Sequence, residues 1–127
     1  WEIIRRVKEA VSVPVIGNGD VTDRASAEDM FVRTGCAGVM VARGALGNPA
    51  VFSEILGIPA EFSPAKTLRE QFEEMRKFGD RYAVLNIRKH VPFFLKGKPG
   101  ASGFRGRINS CETPEEVLGV VAEFERL

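Results

Sequence analysis

Hydrophobic positions in the first part of the chain alternate between helical and strand periodicity. A helical stripe covers residues 1–11, and a short apolar run over residues 13–17 predicts a buried strand. A second strand is predicted over residues 37–42. We expect the helix between the two strands to begin with Ser26 as its N-cap and to end at Gly35. Strands that alternate with helices predict an α/β fold with a parallel sheet.

A further helix is predicted after the second strand, with Asn48 as its cap and its end near Gly57. Beyond that helix the pattern is helical throughout. Ser63 opens a helix whose apolar stripe recurs every three or four residues. The members of this stripe are Leu68, Phe72, Met75, Phe78 and Tyr82. The change of pattern divides the chain into residues 1–57 and residues 58–127.

Three more helices are predicted in the second part of the chain. The first covers residues 84–95, and the second covers residues 102–109. The third begins with a capping box formed by Thr113 and Glu116, in which each side chain bonds to the backbone N–H of the other residue. These helices predict a small all-helical domain after the α/β part.

The charge of the chain is unevenly distributed. The net charge is only +1, but residues 64–109 carry eleven Lys or Arg and four Asp or Glu, which gives that segment a net charge of +7. Such a segment suits a polyanionic partner, so nucleic-acid contact and a merely solvated helix face are both open. Three phenylalanines lie among the basic residues, and we assign them to the helical core: Phe93, Phe94 and Phe104.

The two strand ends carry the candidate chemistry. Asn18, Gly19 and Asp20 follow the first strand, and Arg43 follows the second. Glycine-rich turns at the carboxyl ends of neighbouring parallel strands can offer backbone N–H groups to a phosphate, and Arg43 adds a charged fork. Flavin mononucleotide or a sugar phosphate would suit this arrangement. The alternative is a tight turn beside a surface charge, but two consecutive strand ends of this kind favour a ligand.

Other reactive side chains give weaker signals. Cys36 and Cys111 match no metal-ligand spacing, so we interpret both as structural thiols and predict no metal site. His90, the only histidine, is expected to be a hydrogen-bonded structural residue and not a catalytic base. No apolar run is long enough to span a membrane and no signal peptide is recognised, so we expect a cytoplasmic protein with no membrane partner.

Five segments together resemble the C-terminal part of the tRNA-dihydrouridine synthases. They follow the family's order over nearly the whole chain: VIGNGD at 15–20, TGCAGVM at 34–40, ARGALGNP at 42–49, RKH at 88–90 and FLKGKPGAS at 94–102. The resemblance implies the last strands and helices of a TIM (β/α)8 barrel, followed by a small all-helical domain that binds tRNA. It also implies the reduction of uridine in tRNA to 5,6-dihydrouridine, with FMN as the cofactor and NADPH as the reductant.

The resemblance also implies roles for individual residues. The flavin-contacting segment after the seventh strand corresponds to Asn18, Gly19 and Asp20. The flavin-phosphate segment after the eighth strand corresponds to Ala42 and Arg43, where the family commonly has Gly-Arg. The tRNA-binding residues of the helical domain correspond to Arg88, Lys89, His90 and Lys96. The cofactor site and the RNA surface are thus expected in different parts of the chain.

The same resemblance implies that these residues are part of a longer enzyme. A full barrel takes about 250 residues, and this chain has 127. The family's catalytic cysteine lies earlier in the barrel and matches neither Cys36 nor Cys111. We therefore expect the missing N-terminal barrel half to be a partner and the chain alone to be inactive. Two rival hypotheses are another FMN-binding barrel oxidoreductase that acts on a small molecule, and a non-enzymatic RNA-binding helical module.

Overall fold

A computed structural model describes residues 1–124 of the chain, which form two compact units with their boundary along the sequence between Glu61 and Phe62. The elements of the first unit are α1 (Glu2–Ala10), β1 (Ile16–Asn18), α2 (Arg24–Thr34), β2 (Gly38–Met40), a 3-10 turn (Arg43–Ala45) and α3 (Val51–Leu56). Those of the second unit are α4 (Pro64–Arg76), α5 (Asp80–Phe94), α6 (Ala101–Ser110) and α7 (Pro114–Glu123).

The first unit is built on two parallel strands, as the alternation of elements predicts. Ile16 pairs with Gly38 and Asn18 pairs with Met40, so both strands end at the same edge of the sheet. Each strand has three residues and is shorter than predicted. The buried core of the unit includes Val21, Ala27, Met30 and Cys36. The α/β class is therefore confirmed, while a closed barrel stays a prediction.

The N-terminus of α2 corrects the predicted cap. Asp23 is the N-cap, and Ser26 lies three residues later, where the two residues form a capping box. The backbone N–H of Ser26 donates to Asp23 Oδ1 at 2.8 Å, and this bond is the largest cause of a lowered pKa of Asp23. Ser26 therefore supplies the second half of the box and not the cap itself. The predicted end of the helix is confirmed, because Gly35 has φ 64° and its N–H donates to Phe31.

The start of α3 also differs from its prediction. Asn48 does not cap the helix, which begins at Val51 after Ala50 without a side-chain cap. Instead, the carbonyl of Asn48 accepts a hydrogen bond from the N–H of Val51 at 3.2 Å. The helix ends as predicted at Gly57, whose φ of 67° is in the left-handed region. Asn48 thus contributes to the turn before α3 through its backbone.

Within residues 62–124, the second unit consists of four helices around one apolar core. Its fully buried side chains include Leu68, Phe72, Ile87, Val91, Ile108, Val117 and Val121. Two predicted caps are confirmed, at Ser63 for α4 and at Thr113 for α7. Glu116 completes the capping box of α7, and the backbone N–H groups of Glu112 and Thr113 hold its pKa below the ordinary value.

The stripe predicted from Leu68 to Tyr82 is interrupted by a turn. Helix α4 ends at Arg76, and Gly79, with φ 113°, precedes the first residue of α5. Phe78 is consequently 78% exposed and Tyr82 is 50% exposed, although the stripe placed both among buried positions. The hydrophobic spacing continues across this turn by coincidence. Spacing alone does not reveal that a turn separates two helices.

Candidate functional site

The structure brings the two predicted strand ends together. Asn18 is the last residue of β1, and the 3-10 turn that begins at Arg43 follows β2 by two residues. Arg43 Nη2 donates to Asp20 Oδ1 at 2.8 Å, although 23 residues separate the two positions. The side chains of Arg43 and Asp20 are 85% and 82% exposed. The edge of the sheet therefore presents one cation and one carboxylate directly to solvent.

The turn after β1 has an unusual backbone. Gly19 has φ 151°, and Asp20 has φ 52°, which makes it the only residue other than glycine with a positive φ among residues 1–124. A left-handed aspartate costs free energy that the surrounding structure must offset. This turn directs the Asp20 carboxylate to the guanidinium of Arg43 on the neighbouring strand end.

The half-buried Trp1 holds this turn through its indole N–H. Its Nε1 donates to the carbonyl oxygen of Gly19 at 2.9 Å. The guanidinium of Arg33 in turn lies 5.0 Å from the centre of the indole ring. Sequence analysis placed Trp1 only on a helical stripe and missed this contact, because a bond between residues 18 positions apart leaves no periodic signal. Trp1 thus fixes the backbone between Asn18 and Asp20.

The turn after β2 is held by a close backbone approach at Gly44. A Cβ atom on Gly44 would lie 2.3 Å from the carbonyl oxygen of Val21 and 2.9 Å from the Cα of Thr22. Only glycine fits between these backbone atoms. The adjacent Ala42 has φ −107° and ψ −97°, immediately before the 3-10 turn. The chain segments that follow β1 and β2 are therefore in direct contact.

The four residues assigned to RNA binding are not equivalent in the structure. Arg88 Nη2 donates to the carbonyl of Cys111 at 2.5 Å, and its Nε is buried with no hydrogen-bond partner within the described residues. His90 Nδ1 lies 3.0 Å from Gln71 Nε2, as expected for a structural histidine. Lys89 and Lys96 are exposed. Two of the four side chains are thus engaged inside the bundle, and two face solvent.

Ion pairs reduce the positive charge of the basic segment. Arg76 pairs with Glu73 and Asp80, and Lys77 pairs with Glu74. Seven other cations of the segment have no carboxylate partner within residues 1–124: Lys66, Arg81, Arg88, Lys89, Lys96, Lys98 and Arg105. The unbalanced positive charge therefore extends from α4 to α6, and three of the seven cations lie on α5.

Of the three phenylalanines predicted in the core, one is misplaced. Phe94 is buried, and the ring of Phe104 packs edge-on against Phe124 at a centroid distance of 5.0 Å. Phe93 is 46% exposed, so its assignment to the core is wrong. The two neighbours Phe93 and Phe94 point about 100° apart on a helix, and only one of them can face the bundle interior.

Both cysteines are buried free thiols, at 6% exposure for Cys36 and 4% for Cys111. Burial is the largest cause of a raised pKa of the Cys111 thiol. No cluster of three His, Cys, Asp or Glu side chains suited to a metal occurs in the part of the chain that the structure describes. No helix between residues 1 and 124 is long and apolar enough to cross a membrane.

Comparison with known proteins gives a consistent result. The sequence model of the family described as dihydrouridine synthase (Dus) matches residues 1–126. A probable tRNA-dihydrouridine synthase of Rickettsia prowazekii is 36% identical over 134 residues, which cover 98% of this chain and 41% of the relative. A probable tRNA-dihydrouridine synthase of Mycobacterium tuberculosis (strain H37Rv) is 37% identical, over 92% of this chain and 33% of the relative.

A third relative, the tRNA-dihydrouridine synthase B of Pseudomonas putida, is 33% identical over 98% of this chain and 40% of its own length. The chain thus spans about two fifths or less of the length of these curated relatives.

Proposed function

The chain belongs to the dihydrouridine synthase family, and on that premise we propose that it contributes two parts of a tRNA-dihydrouridine synthase: the segment that binds the FMN phosphate and the helices that bind tRNA. The whole protein would reduce uridine in tRNA to 5,6-dihydrouridine, with NADPH as the reductant. The observation that carries the proposal is the meeting of the two strand ends through Asp20 and Arg43.

The residues at this edge fit a phosphate monoester. One N–H group of Arg43 is bonded to Asp20, and the guanidinium has four other N–H groups for an anion. Since both side chains are more than four-fifths exposed, their ion pair contributes little stability and Arg43 can turn toward a phosphate at small cost. The close approach at Gly44 fixes the backbone from which Arg43 projects.

Asn18 and Asp20 would bind the non-phosphate part of the cofactor. The Asn18 amide offers both donors and an acceptor, and the Asp20 carboxylate accepts from hydroxyl groups. Bound flavin would supply the hydride that the uracil double bond receives. Trp1 would keep Asn18 and Asp20 in position through its bond to the Gly19 carbonyl.

The proton for the second uracil carbon would come from outside these 127 residues. Cys36 lies in the core of the first unit, and Cys111 donates to the carbonyl of Arg107 inside the second. Neither thiol is accessible to a nucleobase. Exposed apolar side chains of the first unit support packing against an upstream segment of a longer protein: Ile3, Val13, Ile16 and Val32.

The test uses the full-length protein encoded by the natural reading frame that contains this chain. We expect it to bind FMN and to form dihydrouridine in an unmodified tRNA transcript with NADPH, as quantified by nucleoside mass spectrometry. Arg43→Ala should weaken FMN binding about tenfold or more, because hydrogen bonds to charged groups contribute about 1.5–3 kcal/mol. Arg24→Ala, which removes an exposed arginine of α2, is the matched control and should leave FMN binding unchanged.

Two outcomes would contradict the proposal. FMN binding without dihydrouridine formation would favour a flavoenzyme that acts on a small molecule. Binding of tRNA that needs neither FMN nor Arg43, with no dihydrouridine formed, would favour an RNA-binding helical module.

A further inference from the structure

Helix α5 carries large apolar side chains on both of its sides. The side that faces the bundle buries Ala83, Val84, Ile87, Val91 and Phe94. The opposite side carries Tyr82, Leu85, Lys89 and Phe93, which recur every three or four residues and so share one face of the helix. Phe78 extends this row, since its ring lies 5.8 Å from that of Tyr82. We call these five residues the aromatic face.

Burial in the bundle does not explain the aromatic face. Tyr82 and Phe93 are each about half exposed, and Phe78 is more exposed still. Neighbouring apolar side chains that share one exposed helix face mark a surface where something binds, whereas single exposed apolar residues need no explanation. Three of its four apolar members are aromatic, which favours a partner with flat surfaces.

The charges around the aromatic face favour an anionic partner. Lys89 lies within it, and its Nζ donates to the amide oxygen of Asn86 at 3.0 Å, which leaves its charge uncompensated. Arg81 and Lys96 lie near its two ends, and neither has a carboxylate partner in the part of the chain described by the structure. The aromatic rings are thus flanked by three cations that are free to contact phosphates.

A depression beside the aromatic face adds a second cationic element. It has a volume of about 350 Å³ and is lined by Arg81, Val84, Leu85, Arg88 and Glu112. Leu85 belongs to both the depression and the aromatic face. Arg88 has a buried Nε with no acceptor within residues 1–124, so a hydrogen-bond donor here lacks a partner from the described chain. That Nε is enclosed by protein and is not open to a ligand, so the positive charge of the depression comes from the two guanidinium groups, and Glu112 partly balances it.

We propose that the aromatic face binds unpaired bases of the tRNA, which stack on Tyr82 and Phe93 while Lys89 and Arg81 contact the adjoining phosphates. Aromatic rings interleaved with unpaired cations are the combination that binds single-stranded RNA, because every base has a face that can stack. The inference rests on the proposed function for the choice of RNA. The inference goes beyond the proposed function because it assigns part of the RNA affinity to aromatic residues and requires bases outside a duplex.

The test measures the affinity of the full-length protein, encoded by the natural reading frame, for three RNAs. They are an unmodified tRNA transcript, a single-stranded oligouridine and a blunt RNA duplex. Tyr82→Ala and Phe93→Ala should each weaken binding to tRNA and to oligouridine about tenfold, in line with the contribution of one stacked base. Duplex binding should stay unchanged, because its bases are not available for stacking. The salt dependence should also stay unchanged, since neither variant removes a charge.

Three variants complete the comparison. Tyr82→Phe keeps the ring and should bind like the unmodified protein, which separates stacking from any effect on folding. Lys89→Ala should weaken binding to all three RNAs and should lower the slope of log affinity against log salt by about one. Phe52→Ala removes a half-exposed aromatic residue of α3 in the other unit and should change nothing.

The outcomes separate this inference from the proposed function. If the unmodified protein binds tRNA and Tyr82→Ala and Phe93→Ala bind it equally well, the inference is wrong and the proposed function stands. If the unmodified protein binds none of the RNAs, the proposed function fails and the inference fails with it. If the two variants abolish self-association in sedimentation and leave RNA binding intact, the aromatic face is a contact between copies of the protein and the inference is overturned.

Discussion

Replacing Gly44 with alanine should destabilise the first unit specifically. The added Cβ would lie 2.3 Å from the carbonyl oxygen of Val21 and 2.9 Å from the Cα of Thr22. Gly44 itself does not have a positive φ, so alanine is conformationally acceptable there and only the lack of space opposes it. Because both opposing atoms belong to the backbone, one chain segment must shift by about 1 Å to restore an ordinary contact distance.

The expected cost is at the upper end of the range for overpacking, about 3 kcal/mol. For a unit of this size such a change lowers the unfolding midpoint by about 10–20 °C. Gly119→Ala is the matched control, since Gly119 lies inside α7 and a Cβ there would meet nothing within 4 Å. That substitution should stabilise the second unit by about 0.5–1 kcal/mol through the better helix propensity of alanine.

The assay follows the thermal unfolding of the chain with two probes. Fluorescence of Trp1, the only tryptophan, reports on the first unit, and far-UV circular dichroism is dominated by the helices of the second. Gly44→Ala should lower the fluorescence midpoint and Gly119→Ala should raise the dichroism midpoint. If Gly44→Ala leaves the fluorescence midpoint unchanged, the backbone contact between the two strand ends does not exist as described.

Two further predictions concern the second unit. Phe72→Ala removes a fully buried ring and should lower the free energy of unfolding by about 3–5 kcal/mol in urea titrations. Phe78→Ala, at an exposed ring, should change the free energy of unfolding by less than about 0.5 kcal/mol. Equal effects of the two substitutions would contradict the assigned burial. The backbone N–H groups of Glu112 and Thr113 lower the pKa of Glu116 from 4.5 in the folded chain. The contribution of Glu116 to the free energy of unfolding is therefore present above pH 4.5 and is lost as the pH falls through the folded pKa. Glu116→Gln should therefore flatten the acid side of the stability curve, and parallel curves for the two proteins would contradict this origin.

Local signals in the sequence predicted the local structure well. The capping box of Thr113 and Glu116 and the helix ends at Gly35 and Gly57 were all predictable, because each depends on residues within a few positions of one another. The error at Ser26 shows the limit of such signals. Asp23 and Ser26 both suit an N-cap, and their spacing alone does not say which one precedes the first helical turn.

Contacts between distant residues were outside the reach of the sequence. The carbonyl of Cys111 engages Arg88, and nothing in the sequence of α5 distinguishes this arginine from the exposed Lys89 beside it. The exposure of Phe93 has the same origin, since its apolar character matches that of the buried Phe94. The resemblance assigns expected roles to whole segments, whereas packing determines which side chains of those segments are exposed.

Each of the two cores contains one of the two cysteines of the chain, Cys36 in the first unit and Cys111 in the second. A thiol reagent can modify either side chain only when the unit around it opens. The labelling rate of each cysteine therefore reports the local unfolding of its own unit. Digestion followed by mass spectrometry would resolve the two labelled peptides in one experiment, without any engineered probe. A ligand bound at the strand ends should slow the labelling of Cys36 and leave that of Cys111 unchanged. RNA bound to α5 should instead slow the labelling of Cys111 and leave that of Cys36 unchanged.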